Sequence, residues 1–235
     1  MNLTKCTTIK KQLMKQEKFI PLKKYPRYTI NKGIKKSEEF FSKMNLRRSV
    51  RTFSSEKIPL EIIINAVRTA ATAPSGANKQ PWHFVIVQNS EVKRKIKIAA
   101  EKKEKEFYGG RATEEWLMAL EPFGTNEEKP FLESAPYLIV AFEEKYKIGN
   151  NGRKEKNYYT KESIGLACGL LLTALHNVGI ATLTHTPSPM SFLSEILNRP
   201  SNETPFLLIV AGYPEKNTLV PNIHRKTKEE ILTII

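Results

Sequence analysis

The run from Tyr158 to Val178 constrains this chain more than any other stretch, because its apolar residues lie nearly all round a helix of that length. Ile164, Leu166, Leu170, Leu171, Ala174 and Leu175 leave no wide polar face, and Gly179 supplies a stop. A helix that is apolar on all sides has to be buried on all sides. Gly165, Ala167 and Gly169 thin it at a spacing suited to close packing. The chain must wrap this helix in its own core or share it with a second copy. The N-terminal arm and the C-terminal tail look built to wrap a partner, and they favour the second course.

With 235 residues, 40% of them hydrophobic, the chain can build one large domain with a proper core. The expected elements are mixed. A helix is expected over Glu38–Leu46, with Phe40, Phe41 and Met44 on one side, and another after Pro59, with Ile62, Ile63, Ala66, Val67 and Ala70 as its stripe. His83–Val87, Pro136–Phe142, Ala181–Thr186 and Phe206–Ala211 read as strands. Ser90 is placed to cap a charged helix that runs to about Tyr108 and stops at Gly109-Gly110. Residues 111–131 give no firm pattern beyond a short helix around Trp116. Without a regular βαβ rhythm, the fold class is α+β.

Composition excludes several functions. No 18-residue apolar run is present, so no membrane span is expected. The start of the chain is basic and polar, without the apolar centre of a signal peptide. Cys6 and Cys168 make neither a disulfide framework nor a zinc motif, which suits a reducing, cytoplasmic setting. His83, His176, His185 and His224 lack metal-ligand spacing, so no metal is expected. The net charge of +14 is concentrated at one end: residues 1–51 carry 15 Lys/Arg against 3 Glu, which leaves about +2 for the other 184. That arm lacks interleaved aromatics, so no nucleic-acid partner is expected.

Two stretches can carry chemistry. Arg47-Arg48-Ser49-Val50-Arg51 sets three guanidinium groups within five residues, at the entry to the folded part of the chain. Guanidinium forks suit phosphate oxygens, so the cluster reads as a phosphate clamp. Ala73-Pro74-Ser75-Gly76-Ala77 opens a turn of small residues, where backbone N–H groups can approach a flat ligand.

These two stretches, with Gln80-Pro81-Trp82, Thr184-His185-Thr186-Pro187 and Gly212-Tyr213-Pro214, resemble the nitroreductase superfamily of FMN proteins. Within it, Glu104, Tyr108, Trp116 and Lys129 match the lid spacing of the iodotyrosine deiodinase family, and the resemblance runs from about Phe19 to the C-terminus. It implies a nitroreductase-like fold, with a central, mostly antiparallel sheet flanked by helices, in an intertwined homodimer. The implied domain plan is a basic arm over 1–18 and one FMN domain over 19–235, with a lid at about 104–131. FMN is implied at Arg47, Arg48, Ser49, Arg51, Pro74, Ser75, Gly76 and Arg225, with the Thr186 hydroxyl at flavin N5 as the catalytic contact. Substrate is implied at the Ala77 N–H (phenolate) and at Glu104, Tyr108 and Lys129 (amino-acid zwitterion). The implied reaction is reductive dehalogenation of a halotyrosine, with electrons from NAD(P)H directly or through a separate reductase. The alternative is a general NAD(P)H-dependent nitroreductase or quinone reductase, which has no need of the lid residues. The chain departs from the family's animal members at His185, where they carry threonine, and in having a lysine-rich arm where they have a membrane-spanning N-terminus.

Overall fold

The computed structural model describes residues 19–235; the basic arm over 1–18 and Cys6 lie outside the described residues. The chain divides into two compact units, residues 1–41 and 42–235. Helix α1 (Ile30–Asn45) belongs to both, begins eight residues earlier than its apolar pattern suggested, and buries none of its side chains. The rest of the fold belongs to the second unit.

Its centre is a four-stranded antiparallel sheet in the order β1-β2-β6-β5, formed by β1 (Trp82–Val87), β2 (Tyr137–Glu144), β5 (Ala181–His185) and β6 (Glu203–Gly212). Strands β2 and β6 are the inner pair, running in register from Tyr137 opposite Ala211 to a bulge at Ala141/Phe142. Successive side chains of a strand point to opposite faces, and both faces of β2 are covered. Leu138, Val140 and Phe142 enter one core with Ile96 and Ala100 of α3 (Ser90–Glu106). Tyr137 and Ile139 enter the other, with Ile63, Ala66 and Ala70 of α2 (Leu60–Ala70) and Leu171 and Leu175 of α6 (Thr160–Asn177). Burial on both faces explains why β2 reads as an unbroken apolar run.

The local signals place most element ends. Asn89, not Ser90, caps α3: its side chain accepts from the Val92 N–H at 3.0 Å. Helix α6 starts two residues later than expected, and Gly179, at φ 81, turns the chain into β5. Three pieces carried no clear pattern in the sequence: the hairpin of β3 (Tyr146–Ile148) and β4 (Lys154–Lys156), the turn of helix α5 (Phe131–Ser134), and α7 (Ser191–Ile196). The unassigned region contains α4 (Glu114–Leu120), capped by the Thr113 hydroxyl and carrying Trp116 as expected. After β6 the chain ends in α8 (Lys228–Ile231).

The expected all-round burial of the long helix is only half met within one chain. One side of α6 is in the core, whereas Leu166 on the other is 54% exposed. Glycine normally weakens a helix, and nothing in this chain requires it there. A Cβ at Gly169 would meet nothing within 4 Å, and one at Gly165 would meet only the Phe206 ring, at 4.0 Å.

Candidate active site

The arginine run joins α1 to α2 beside the edge strand β5, held by a bridge between Ser49 and Thr182 and by the Val50 N–H donating to the Thr182 carbonyl at 3.1 Å. The C-terminal segment returns to the same place. Arg225 donates to the carbonyls of Asn45 (3.1 Å) and Arg47 (2.7 Å), and Arg48 donates to the Pro221 carbonyl. Arg47, Arg48, Ser49, Arg51 and Arg225 line one cavity of about 240 Å³ whose lining contains no carboxylate. Among the described residues, none of the four guanidinium groups has an ion-pair partner. Burial, and then the charges of Arg225 and Arg48, push the Arg47 pKa down. Like charges drawn together with no counter-charge repel, and an anion among them offsets the repulsion. A lining with four guanidinium groups and no carboxylate is chemically suited to an anion such as a phosphate.

Arg51 also lines a second cavity, of about 460 Å³, with Glu104, Tyr108, Lys129, His185 and Thr186. Glu104 comes from the last turn of α3. The helix gives way at Phe107 to a wide π-type turn, Phe107–Arg111, so Tyr108 does not continue the α-helical face that its spacing from Glu104 suggested. Both nevertheless line the same cavity. Lys129 reaches it from the segment before α5, where Glu101 of α3 accepts its backbone N–H at 2.8 Å. Its ammonium lies 3.0 Å from the Glu104 carboxylate and 5.5 Å from the Tyr108 ring centre. Lys129 is only 2% exposed, so this is a desolvated pair presented to a cavity. A zwitterion matches it: the carboxylate can take an ammonium, and the lysine and phenol can take a carboxylate.

The small-residue turn stands elsewhere. Pro74, Ser75, Gly76 and Ala77 line neither cavity; Pro74 borders the open apolar groove along α6, with Gly165, Leu166 and Gly169. Its backbone is strongly bent, with Ala77, Asn78 and Gln80 at φ 50, 52 and 47, and Ser75 Oγ holds the bend by accepting from the Gln80 N–H at 2.9 Å. Gly76 is required there, since a Cβ would fall 2.8 Å from the Tyr159 ring. A single chain therefore brings together the arginines, the lid residues and Thr186, but not the turn.

With that geometry in place, likeness to known proteins decides the family. A model of the nitroreductase family matches residues 45–213. The chain belongs to the nitroreductase family. Among its relatives in that family, the iodotyrosine deiodinase of Haliscomenobacter hydrossis is 54% identical over 201 residues, spanning 86% of this chain and 90% of that protein. The human iodotyrosine deiodinase 1 is 40% identical over 209 residues, spanning 88% and 72%. A crystal structure of oxidized iodotyrosine deiodinase bound to FMN and 3-iodo-L-tyrosine superposes with a TM-score of 0.70 at 32% identity, covering 83% of this chain and all of that one. The expected nitroreductase-like fold, with its antiparallel sheet between helices, is the fold observed.

One residue of the site stood out in the sequence only as a departure from the family's animal members, with no role assigned to it. His185 sits in the cavity wall, edge-on to Phe131 with ring centres 5.5 Å apart. Its Nε2 is buried without a hydrogen-bond partner among the described residues. Burial, then the charges of Lys129 and Arg51, push its pKa down to about 3, so the imidazole is neutral at physiological pH.

Proposed function

We infer that this protein is an FMN-dependent oxidoreductase that removes halide reductively from halotyrosines. The observation that carries the inference is the desolvated Glu104–Lys129 pair beside Tyr108, in a cavity that shares Arg51 with the arginine clamp. A general nitroarene or quinone reductase has no use for a buried zwitterion receptor, whereas an amino-acid dehalogenase does. The likeness to deiodinases along most of their length supports the same reading.

Arg47, Arg48, Arg51 and Arg225, with Ser49, would hold the FMN phosphate. When bound, the flavin supplies the reducing electrons, which come ultimately from NAD(P)H, directly or through a separate reductase. Glu104 accepts hydrogen bonds from the substrate ammonium, and Lys129 and Tyr108 hold its carboxylate. Thr186, which lines the same cavity, is the residue assigned to flavin N5. Ala77 offers a backbone N–H that no acceptor among the described residues takes, which suits a phenolate oxygen. Holding the substrate as its phenolate raises electron density on the ring carbon that bears the halogen, where a proton must arrive as halide departs. The roof over the cavity, about 104–131, excludes water and so strengthens each of these contacts.

The separation of Pro74–Ala77 from the other groups makes a homodimer part of the proposal. The groove along α6, floored by glycines that this chain alone does not need, suits the α6 of a second copy. The turn of one chain then completes the site of its partner. The flavin domain assigned to 19–235 and a reducing, cytoplasmic setting complete the reading, the latter supported by the free, buried Cys168.

The test is halide release. Purified yellow protein with dithionite is expected to release iodide from iodotyrosine, and to bind iodotyrosine far better than iodophenol, which lacks the zwitterion. A hydrogen bond to a charged group contributes about 1.5–3 kcal/mol. Glu104→Gln should therefore weaken iodotyrosine binding by roughly 10- to 150-fold and leave nitroarene reduction intact. Equal binding of iodotyrosine by this variant and wild type would transfer the assignment to a general nitroreductase.

A further inference from the structure

The hairpin of β3 and β4 carries charge that the zwitterion receptor and the phosphate clamp do not use. Residues 145–156 hold five Lys/Arg against one Glu, a net of +4, within residues 52–235, which together carry about +2. The register sets Lys147 opposite Glu155, Tyr146 opposite Lys156 and Ile148 opposite Lys154. Side chains alternate across a ribbon, so Lys147 and Glu155 share one face and the other four share the opposite one. The first face is neutralised locally, with Lys147 3.7 Å from Glu144 and Glu155 3.8 Å from Lys79. On the second face, Lys154 and Lys156 have no ion-pair partner among the described residues, and Ile148 is 60% exposed. The Lys154 ammonium lies over the Tyr146 ring, 4.6 Å from its centre. Two amides fix the base of the ribbon: Asn157 donates to the Glu144 carbonyl at 2.7 Å, and Asn202 donates to the Tyr146 carbonyl at 2.9 Å. The ribbon is also joined to the small-residue turn. Lys79, which pairs with Glu155, lies three residues beyond Gly76, and Gly76 packs against Tyr159, which follows β4 by three residues.

We propose that the Lys154–Lys156 face of this hairpin is the docking surface for an acidic protein that carries electrons to the bound FMN. The inference rests on the functional reading above, in which the Pro74–Ala77 turn completes the partner's flavin site and electrons arrive through a separate reductase. A hairpin fastened to that turn stands at the rim of the same flavin. Two free ammonium groups beside an exposed isoleucine complement a carrier that sets carboxylates around an apolar patch near its redox centre. Electron-transfer encounters are small and transient, and charge sets their rate. Two carriers each give up one electron; the two electrons and one proton convert FMN to its reduced anion, both carriers are oxidised, and no bond forms between the proteins. A nucleic-acid backbone also attracts lysines, but it offers nothing to Ile148, whereas a protein surface does.

The test uses the flavin-loaded protein and, as the acidic probe, a plant-type ferredoxin, a small iron–sulfur electron carrier. Wild type is compared with the double variant Lys154→Glu, Lys156→Glu. In calorimetric titration without substrate, ferredoxin is expected to bind wild type at low salt, more weakly as salt rises, and to bind the variant roughly 10-fold less well or worse. Reduction of the FMN by reduced ferredoxin, followed without oxygen at the visible flavin band, should slow by roughly 10-fold in the variant at low salt, and the two rates should converge at high salt. The variant should keep the thermal midpoint of wild type and its rate of reduction by photoreduced deazaflavin, which needs no docking face. The charge-preserving pair Lys154→Arg, Lys156→Arg should keep the ferredoxin rate. Absence of ferredoxin binding to wild type, or equal binding and equal rates in wild type and the glutamate variant, overturns the docking face. Tighter binding of a DNA duplex than of ferredoxin, lost in the variant, also overturns it and gives the face to nucleic acid. Failure of wild type to release iodide from iodotyrosine with dithionite would overturn the functional reading instead, since titration and flavin reduction need no substrate.

Discussion

Arg47 is half-buried and Lys129 almost fully buried, and the structure treats the two cations differently. Lys129 has its counter-charge within the chain, in Glu104 at 3.0 Å. Arg47 has two further arginines for neighbours, and its pKa falls accordingly. The first arrangement is balanced within the chain; in the second, like charges repel, and an anion among them would offset that repulsion. Replacing Arg47 and Arg51 together by Ala should therefore strip FMN while raising the stability of the flavin-free protein, because the substitution relieves repulsion. Flavin absorbance after gel filtration and urea unfolding of the stripped protein check both halves, and a double variant that keeps its flavin would defeat the clamp. His185 belongs to the same balance of charge. Its folded pKa of about 3 lies below the ordinary histidine value of 6.5, so the unfolded chain binds the extra proton between those limits. Its contribution is fully present above about pH 6.5 and is lost as pH falls, with a slope of up to about 1.4 kcal/mol per pH unit. The stability difference between wild type and His185→Gln should shrink from pH 7 to pH 5. A difference independent of pH would show that the imidazole does not titrate as stated.

Among the elements, β6 does the most to fix the site, because its last residue is wedged between two others. A Cβ on Gly212 would lie 2.8 Å from Pro136 and 3.0 Å from the Phe53 ring. Phe53 bridges to Pro214, and it follows the arginine run by two residues. Gly212→Ala should thus cost about 1–3 kcal/mol through overpacking, read as a lower urea midpoint, and should weaken FMN binding as the displaced Phe53 carries Arg51 with it. Loss of stability with undiminished flavin affinity would separate the wedge from the clamp. Helix α3 acts at the other side of the site: Glu101 and Glu104, three residues apart on one face, hold the backbone and the side chain of Lys129 respectively.

At the scale of the whole molecule, the decisive feature is the exposed side of α6. Leu166 and the two glycines beside it form a surface that is apolar and narrow enough for another helix to approach closely. If that surface joins two copies, a buried charge there should separate them and disable both sites, since each needs the Pro74–Ala77 turn of its partner. Leu166→Glu is expected to elute as a monomer, with loss of bound FMN, while keeping its helical circular dichroism. A variant that stays dimeric, or a monomer that retains flavin, would remove the partner's turn from the site.

The sequence alone determined whatever depends on neighbours along the chain. The arginine run, the bend at Pro74–Gly76, the stop at Gly179 and the apolar runs of the four sheet strands are local chemistry, and the structure shows each of them where it was expected. The Glu104, Tyr108 and Lys129 assignment came from family spacing, because a charged helix end ordinarily faces water and nothing in its composition marks it as functional. Tertiary structure alone decided that Lys129, from a segment without clear pattern, would be dry and paired with Glu104. It also decided that Arg225 would return 178 residues along the chain to the Arg47 carbonyl, and that Arg111 would find Ser188, 77 residues away. Such pairings depend on which strand lies beside which, and no window of sequence contains both partners. The same reason explains His185: its place on a strand was legible, but its neutrality depends on Lys129 and Arg51, which only the folded chain sets beside it.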